Sequence, residues 1–345
     1  MSVLGCGTWF FPIEEQLYCL GHEQVEPLAL FPVTQSNGEV VFQQLEQTIA
    51  RTGVPREIVS DEGSDLHAGV IQFCHAHPET APIYDIKHKT ALVLKHERHG
   101  EAAWEAFCQL ATHTRNQVQQ TSLAALAPPN QRTKSRYMNA DRLMTWGEKM
   151  LAFLDGHRRQ SHHAFDPHQV EEKYGWLRQF RQPLSVWREL LTLVIVTEEF
   201  VRTHGLYRQC QVALRQQLAV FAHTTRGQKV SQQLLAFVTE ESFKAKPHER
   251  LVGSSEVLES VLGRFKQLEH DQVTSGFTGL LLSLAALVSP TTTEVIQTAL
   301  ETVSTKQVLA WCKKTLGKSL QAQRREALIT PQKSEQKWNQ YRAVA

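Results

Sequence analysis

Residues 54–97 read VPREIVSDEGSDLHAGVIQFCHAHPETAPIYDIKHKTALVLKHE. A short β-branched run, Ile58 and Val59, stops at Asp61. Gly63 permits a tight turn, and Leu66, Val70, Phe73 and Cys74 then recur at helical spacing. Ala81 to Tyr84 form a second short strand that stops at Asp85, and His88 follows in the first turn of another helix. The result is a strand–helix–strand–helix unit with a carboxylate at the end of each strand. Open α/β sheets gather reactive groups at the carboxyl ends of their strands, and hard divalent cations take oxygen ligands. The pattern points to metal-assisted phosphodiester chemistry. Each aspartate also has a plainer role, because Asp is a favoured helix cap.

Working outward, residues 1–35 read as strands and turns, with Leu28 to Val33 the clearest strand and Ser36-Asn37-Gly38 a turn signal. Val41, Leu45 and Ile49 mark a helix over Val40 to Ala50 that closes near Gly53. Beyond Glu101 the strand signals fade. Helical spacing predicts elements over Leu143–Leu154, Glu171–Phe180, Val186–Thr203, Tyr207–His223 and Lys229–Val238. Residues 128–142 and 245–253 read as linkers. A helix carrying Glu256 and Glu259 follows, then an apolar helix over Phe277–Val288, then a helix over Thr291–Leu316. Four parts are therefore expected: a core over 1–100, a helical insertion over 101–248, a return to the core over 249–290, and a basic helical tail over 291–345.

Three stretches together, SDEGSDL, YDIKH and SSEVLESVLGRFK, resemble the ribonuclease H-like transposases and integrases with an Asp-Asp-Glu triad. Asp85-Ile86-Lys87-His88 is similar to the Asp-x-x-His motif of the Mutator-like and hAT-like branches and their bacterial insertion-sequence relatives. Those branches place a long helical insertion before the catalytic Glu, as the helix-rich stretch from about Glu101 to His248 does here. The resemblance implies α/β plus all-α architecture, a partial ribonuclease H-like mixed sheet interrupted by helices. It implies Asp61 and Glu259 as ligands of Mg²⁺ or Mn²⁺, with Asp85 and His88 beside them. Glu256 is the alternative to Glu259, although an acid in a first helical turn is favoured by the helix dipole alone. Val257, Leu258, Val261, Leu262, Phe265 and Leu268 form the expected buried stripe of that helix, which leaves Glu256, Glu259 and Lys266 on the opposite face.

The family's first Asp lies on the first strand, yet no Asp occurs from Met1 to Ser60. The expectation is a truncated copy that no longer cleaves DNA. The rival readings are a non-catalytic DNA-binding or domesticated remnant, and another ribonuclease H-like nuclease.

The net charge of +2 conceals an asymmetry, since nine Lys and Arg face two Glu from Lys306 onward. A basic tail suits a polyanion. Lys313, Lys314, Lys318, Arg324 and Arg325, with Arg264 and Lys266, are therefore the expected DNA contacts, the DNA being transposon ends and target. A homo-oligomer is compatible with this reading. Six scattered cysteines without C-x-x-C spacing argue against a zinc ribbon and a disulfide scaffold. The opening MSVLGCGTWFF lacks the features of a signal peptide, and the longest apolar stretch is too short for a bilayer. A cytoplasmic, nucleoid-associated bacterial protein is expected, with no membrane contact.

Overall fold

Parallel pairing joins β3 (Glu57–Ser60) to β4 (Ala81–Tyr84), with Val59 opposite Ile83. The computed structural model describes residues 2–5, 27–31, 33, 35–131, 138–157, 165–271 and 292–315. Earlier in the chain β1 (Ser2–Gly5) pairs antiparallel with β2 (Pro27–Phe31). Asn37 then caps α1 (Gly38–Thr52) by accepting the Val40 N–H at 2.9 Å, and Gly53 ends it with a φ of 78°, which glycine adopts without a Cβ penalty. Two helices follow the parallel strands, α2 (Ser64–Ala76) after β3 and α3 (Ile86–Arg98) after β4.

Strand alternation decides where β3 sits. Ile58 packs on a small core of Val41, Leu45, Val70 and Phe73 between α1 and α2. Its neighbour Val59 packs on the large core of the helical body. The α1–α2 crossing is close because Gly69 lies against Gly38 and Val41. A Cβ at Gly69 would stand 2.5 Å from the Val41 Cβ and 2.7 Å from the Gly38 carbonyl oxygen. Gly69→Ala is therefore expected to destabilise the protein by about 1–3 kcal/mol through overpacking, read as a lower urea midpoint with unchanged slope.

The helical body comprises α4 (Ala102–Val118), α5 (Met138–His157), α6 (Pro167–Tyr174), α7 (Arg181–His204), α8 (Cys210–Ala219) and α9 (Thr225–Ser242). The long α7 runs through its centre, burying Leu184, Trp187, Leu190, Leu191 and Val194. Aromatic rings meet there: Trp104 and Trp187 edge to face at 4.9 Å, and Phe107 and Phe180 at 5.3 Å. Such pairs add to the area they bury. The last described helices are α10 (Glu256–Asp271) and the pair Thr293–Thr302 and Thr305–Thr315.

Several expectations change here. The protein is mostly helical, and among the described residues no mixed ribonuclease H-like sheet forms; there are two separate two-stranded sheets. The outer edge of β4 shows one reason. The Lys244 ammonium donates to the Pro82 carbonyl at 2.7 Å, and the Tyr84 N–H donates to the buried Glu241 carboxylate at 3.0 Å. Side chains at the end of α9 and just beyond it occupy the positions a further strand would take. The linker expected over 128–142 gives way to α5 at Met138, and the helix expected over Glu171–Phe180 is α6 followed by a 3-10 turn over Gly175–Phe180. The helix expected over Thr291–Leu316 is two helices. Val303 is extended (φ −125°, ψ 113°), and the Ser304 hydroxyl accepts the Gln307 N–H at 3.3 Å to start the second. The apolar run Phe277–Val288 lies outside the described residues. Within them, no helix is long and apolar enough to cross a membrane.

Candidate functional site

Asp61 follows the last residue of β3 but does not cap α2. That cap is Gly63, without a side-chain bond, and Asp61 touches the turn only through a 3.4 Å contact from the Gly63 N–H. Its carboxylate is 43% exposed and stands 3.9 Å from His88 Nδ1. The carboxylate at the end of β3 and the imidazole in the first turn of α3 therefore face each other.

Asp85 is placed differently. It is 1% exposed, and both its oxygens are engaged. One accepts the His88 N–H at 3.0 Å and so caps α3. The other accepts the Ser255 N–H at 2.6 Å and the Ser255 hydroxyl. Ser255 immediately precedes α10, so one buried carboxylate sets the starts of two helices separated by 170 positions. The main chain reinforces this join, with the Ile86 N–H donating to the Gly253 carbonyl at 3.0 Å. Gly253 is required by close approach: a Cβ there would meet the Val201 side chain at 2.3 Å.

The strap 252–255 has a third anchor that the sequence did not signal. Glu57, on β3, accepts the Val252 N–H with both oxygens at 3.0 Å. Burial pushes its carboxyl up to about 7; the Val252 bond and nearby Arg56 oppose this, and the Glu249 carboxylate adds to it. Arg56 extends the same support, bonding Glu249 at 2.7 Å and the Lys244 carbonyl at 2.9 Å.

The strap thus delivers α10 to the ends of the parallel strands. Glu256 pairs with Lys87 at 2.7 Å and with Arg202 at 3.9 Å. Its carboxylate lines a cleft of about 370 Å³ with Lys87, Asp141, Arg142, Ile195 and Arg202. Glu259 lies on α10 one turn further on, and its side chain, like that of Lys266, lies outside the described residues. Among the described side chains of this helix, Phe265 is buried and Arg264 is exposed. Lys313 and Lys314 are exposed on the helix Thr305–Thr315, whereas Lys318, Arg324 and Arg325 lie outside the described residues.

Tyr84 is a further feature that sequence reading passed over. Its hydroxyl is buried without a hydrogen-bond partner. Burial, followed by the carboxylates of Glu62, Asp61 and Asp85, pushes the phenol up to about 12. Its ring packs edge to face on Phe237 and lies 6.2 Å from the His88 ring, with the Lys89 ammonium 5.7 Å from its centre. A tyrosine one residue before a strand-end aspartate reads from sequence only as a strand residue.

Two adjacent Mg²⁺ ions repel and need several carboxylates to offset their charge. Among the described residues no three His, Cys, Asp or Glu side chains converge as a metal site, Asp85 is spent on hydrogen bonds, and Glu256 is paired with cations. The described donors do not fit a two-ion centre. They offer one exposed carboxylate beside an imidazole, at the foot of a helix whose exposed side carries cations. No protein-family model, curated protein or solved structure matches this chain.

Proposed function

We propose that this chain is a DNA-binding protein of the Asp-Asp-Glu transposase type which, as it stands, holds DNA without cutting it. The observation that carries the reading is the join of Asp85 to Ser255. It brings the helix of the SSEVLESVLGRFK motif to the strand ends where Asp61 and His88 lie, as the resemblance expects of the helix bearing the catalytic Glu. The donor set supports the non-cleaving half of the proposal, since Asp61 lacks enough carboxylate neighbours among the described residues to hold an ion pair. Arg264 and Lys314 are exposed and suited to phosphate contacts.

The test combines binding and cleavage by the full chain. Anisotropy with a DNA duplex is expected to show affinity falling steeply between 50 and 200 mM salt, as counterions are released. Arg264→Ala with Lys314→Ala is expected to flatten the log–log salt slope by about 1–2. Supercoiled plasmid incubated with Mg²⁺ or Mn²⁺ is expected to stay intact. Salt-insensitive affinity would remove the DNA-binding half. Nicking that Asp61→Ala abolishes would replace the proposal with an active metal-dependent nuclease.

A further inference from the structure

No Asp or Glu occurs from Tyr207 to Thr239, in a chain that carries 35 of them. This stretch supplies α8 and most of α9. Two of its cations, Arg226 and Lys229, are matched by Glu97 and Glu101. Arg208 and Arg215, before and on α8, are exposed.

The loop before α8 is tied to the segment after α9. Leu206 and Leu251 exchange both main-chain hydrogen bonds at 2.8 Å and bury their side chains. Arg208 Nε donates to the Ala245 carbonyl and Arg250 to the His204 carbonyl, each at 2.9 Å. The Arg250 guanidinium lies 4.5 Å from the centre of the Tyr207 ring. Gln209 and His248 hold their loops in left-handed backbone, with φ of 70° and 64°, which side chains other than glycine's rarely adopt. Lys246 and His248 are exposed. Within 204–209 and 245–251, Arg208, Lys246 and Arg250 stand against one acid, Glu249.

The carboxylates around these loops are largely spent. Glu249 pairs with Arg56 at 2.7 Å and accepts the Lys246 N–H at 2.6 Å. Glu241 pairs with Lys244, and Glu57 accepts the Val252 N–H. Two acids are exposed at the border. Glu240 lines the same groove as Arg215 and offsets that one charge. Glu79 lies beyond Arg56, which bonds its carbonyl.

We propose that these two loops, with the Arg215 side of α8, form a contact surface for the phosphate backbone of duplex DNA. The inference rests on the DNA-binding reading above and adds a second surface to Arg264 and Lys314. A backbone is the occupant because the cations are spread along two loops and a helix of ten residues, about 15 Å long. A duplex presents a phosphate for about every 1.7 Å of its axis. The forked guanidinium suits phosphate, and Arg208 spends only Nε on the main chain. The acid-free flank leaves few carboxylates to repel the strand.

The test is fluorescence anisotropy of the full chain with a DNA duplex at several salt concentrations, for the parent and for Arg215→Gln/Lys246→Gln. Neither side chain makes a hydrogen bond among the described residues, so the urea midpoint without DNA is expected to stay unchanged. Affinity at about 100 mM salt is expected to fall about 10–100-fold, and the log–log salt slope by about 2. Bound duplex is expected to shield Lys246 from acetylation, read by mass spectrometry. A variant that binds as the parent does overturns the inference and leaves the DNA-binding reading in place, as does a Lys246 acetylated equally with and without duplex. A parent that binds no duplex overturns the DNA-binding reading itself, and this surface with it. A lowered urea midpoint without DNA overturns the inference too, and assigns the cations to a contact within the chain, for which Glu14, Glu15, Glu23 and Glu26 carry the charge. Displacement of the duplex by poly-glutamate as effective as that by unlabelled duplex overturns DNA as the occupant and assigns the surface to an acidic protein.

Discussion

Replacing Asp85 with alanine is expected to destabilise the protein by about 3–5 kcal/mol, the largest effect of any single substitution at the strand ends. Three donors lose their acceptor together: the N–H of His88, and the N–H and hydroxyl of Ser255. A helix cap is worth roughly 1 kcal/mol, a hydrogen bond to a charged group about 1.5–3 kcal/mol, and buried donors left unpaired carry their desolvation cost as well. Asp85→Asn retains one acceptor oxygen and is expected to fall between the two. Asp61→Ala, at an exposed carboxylate, is expected to stay within about 0.5 kcal/mol of the parent. Urea unfolding measures all three, and amide exchange at Ser255 reports whether α10 has lost its anchor. An Asp85→Ala protein as stable as the parent would mean that α10 does not depend on this join.

The second large effect depends on pH. Glu57 is carried by burial from the ordinary carboxyl value of 4.5 to about 7. A carboxyl whose folded value is raised binds a proton more tightly in the folded chain than in the unfolded one. Its favourable contribution is therefore complete below about 4.5 and is lost as pH rises through about 7. The displacement corresponds to about 3 kcal/mol. Glu57→Gln keeps an oxygen for the Val252 N–H and carries no charge. It is expected to abolish this part of the pH dependence and to be the more stable protein at pH 8. Urea midpoints for both proteins across pH 4.5 to 8 measure it. Parallel curves would show that Glu57 titrates normally, and that the strap does not withdraw its carboxyl from water.

Local elements were largely legible because their causes are local. Asn37 before an apolar-periodic run, Gly53 after it, and the β-branched pair Ile58-Val59 acted within a few residues, and α1, β3, α2, β4 and α3 form where those signals lie. Trp104, Trp146, Trp176 and Trp187 pack into the helical body, whereas Trp311 is 43% exposed. The single helix expected over Thr291–Leu316 is two for a local reason too. Ser304 is a capable helix cap, but its neighbours carry good helical spacing, and periodicity outweighed one capping residue.

The candidate site was legible only in part. Asp61 is marked by its place at a strand end and His88 by the Asp-x-x-His spacing, and the two approach each other. The division of labour among the acids was not legible. Asp85 and Asp61 follow the same kind of strand, yet one is buried beneath Ser255 and the other is open. Nothing near either residue distinguishes them, since the difference is made by a segment 170 positions away. Glu256 turned to Lys87 and Arg202 because α3 and α7 bring those cations to its side of α10.

The amino-acid sequence by itself determined which segments become helix or strand, where carboxylates stand relative to strand ends, and where apolar stripes run, because propensity, capping and periodicity act over one or two turns. Only the tertiary structure decided which carboxylates are free. The closure of the β4 edge by Lys244 and Glu241, the docking of the 252–255 strap on Glu57, and the burial of Asp85 all join residues more than 150 positions apart. Burial and hydrogen-bond satisfaction depend on what packs opposite a residue, and a residue's own neighbours in the chain carry no record of that.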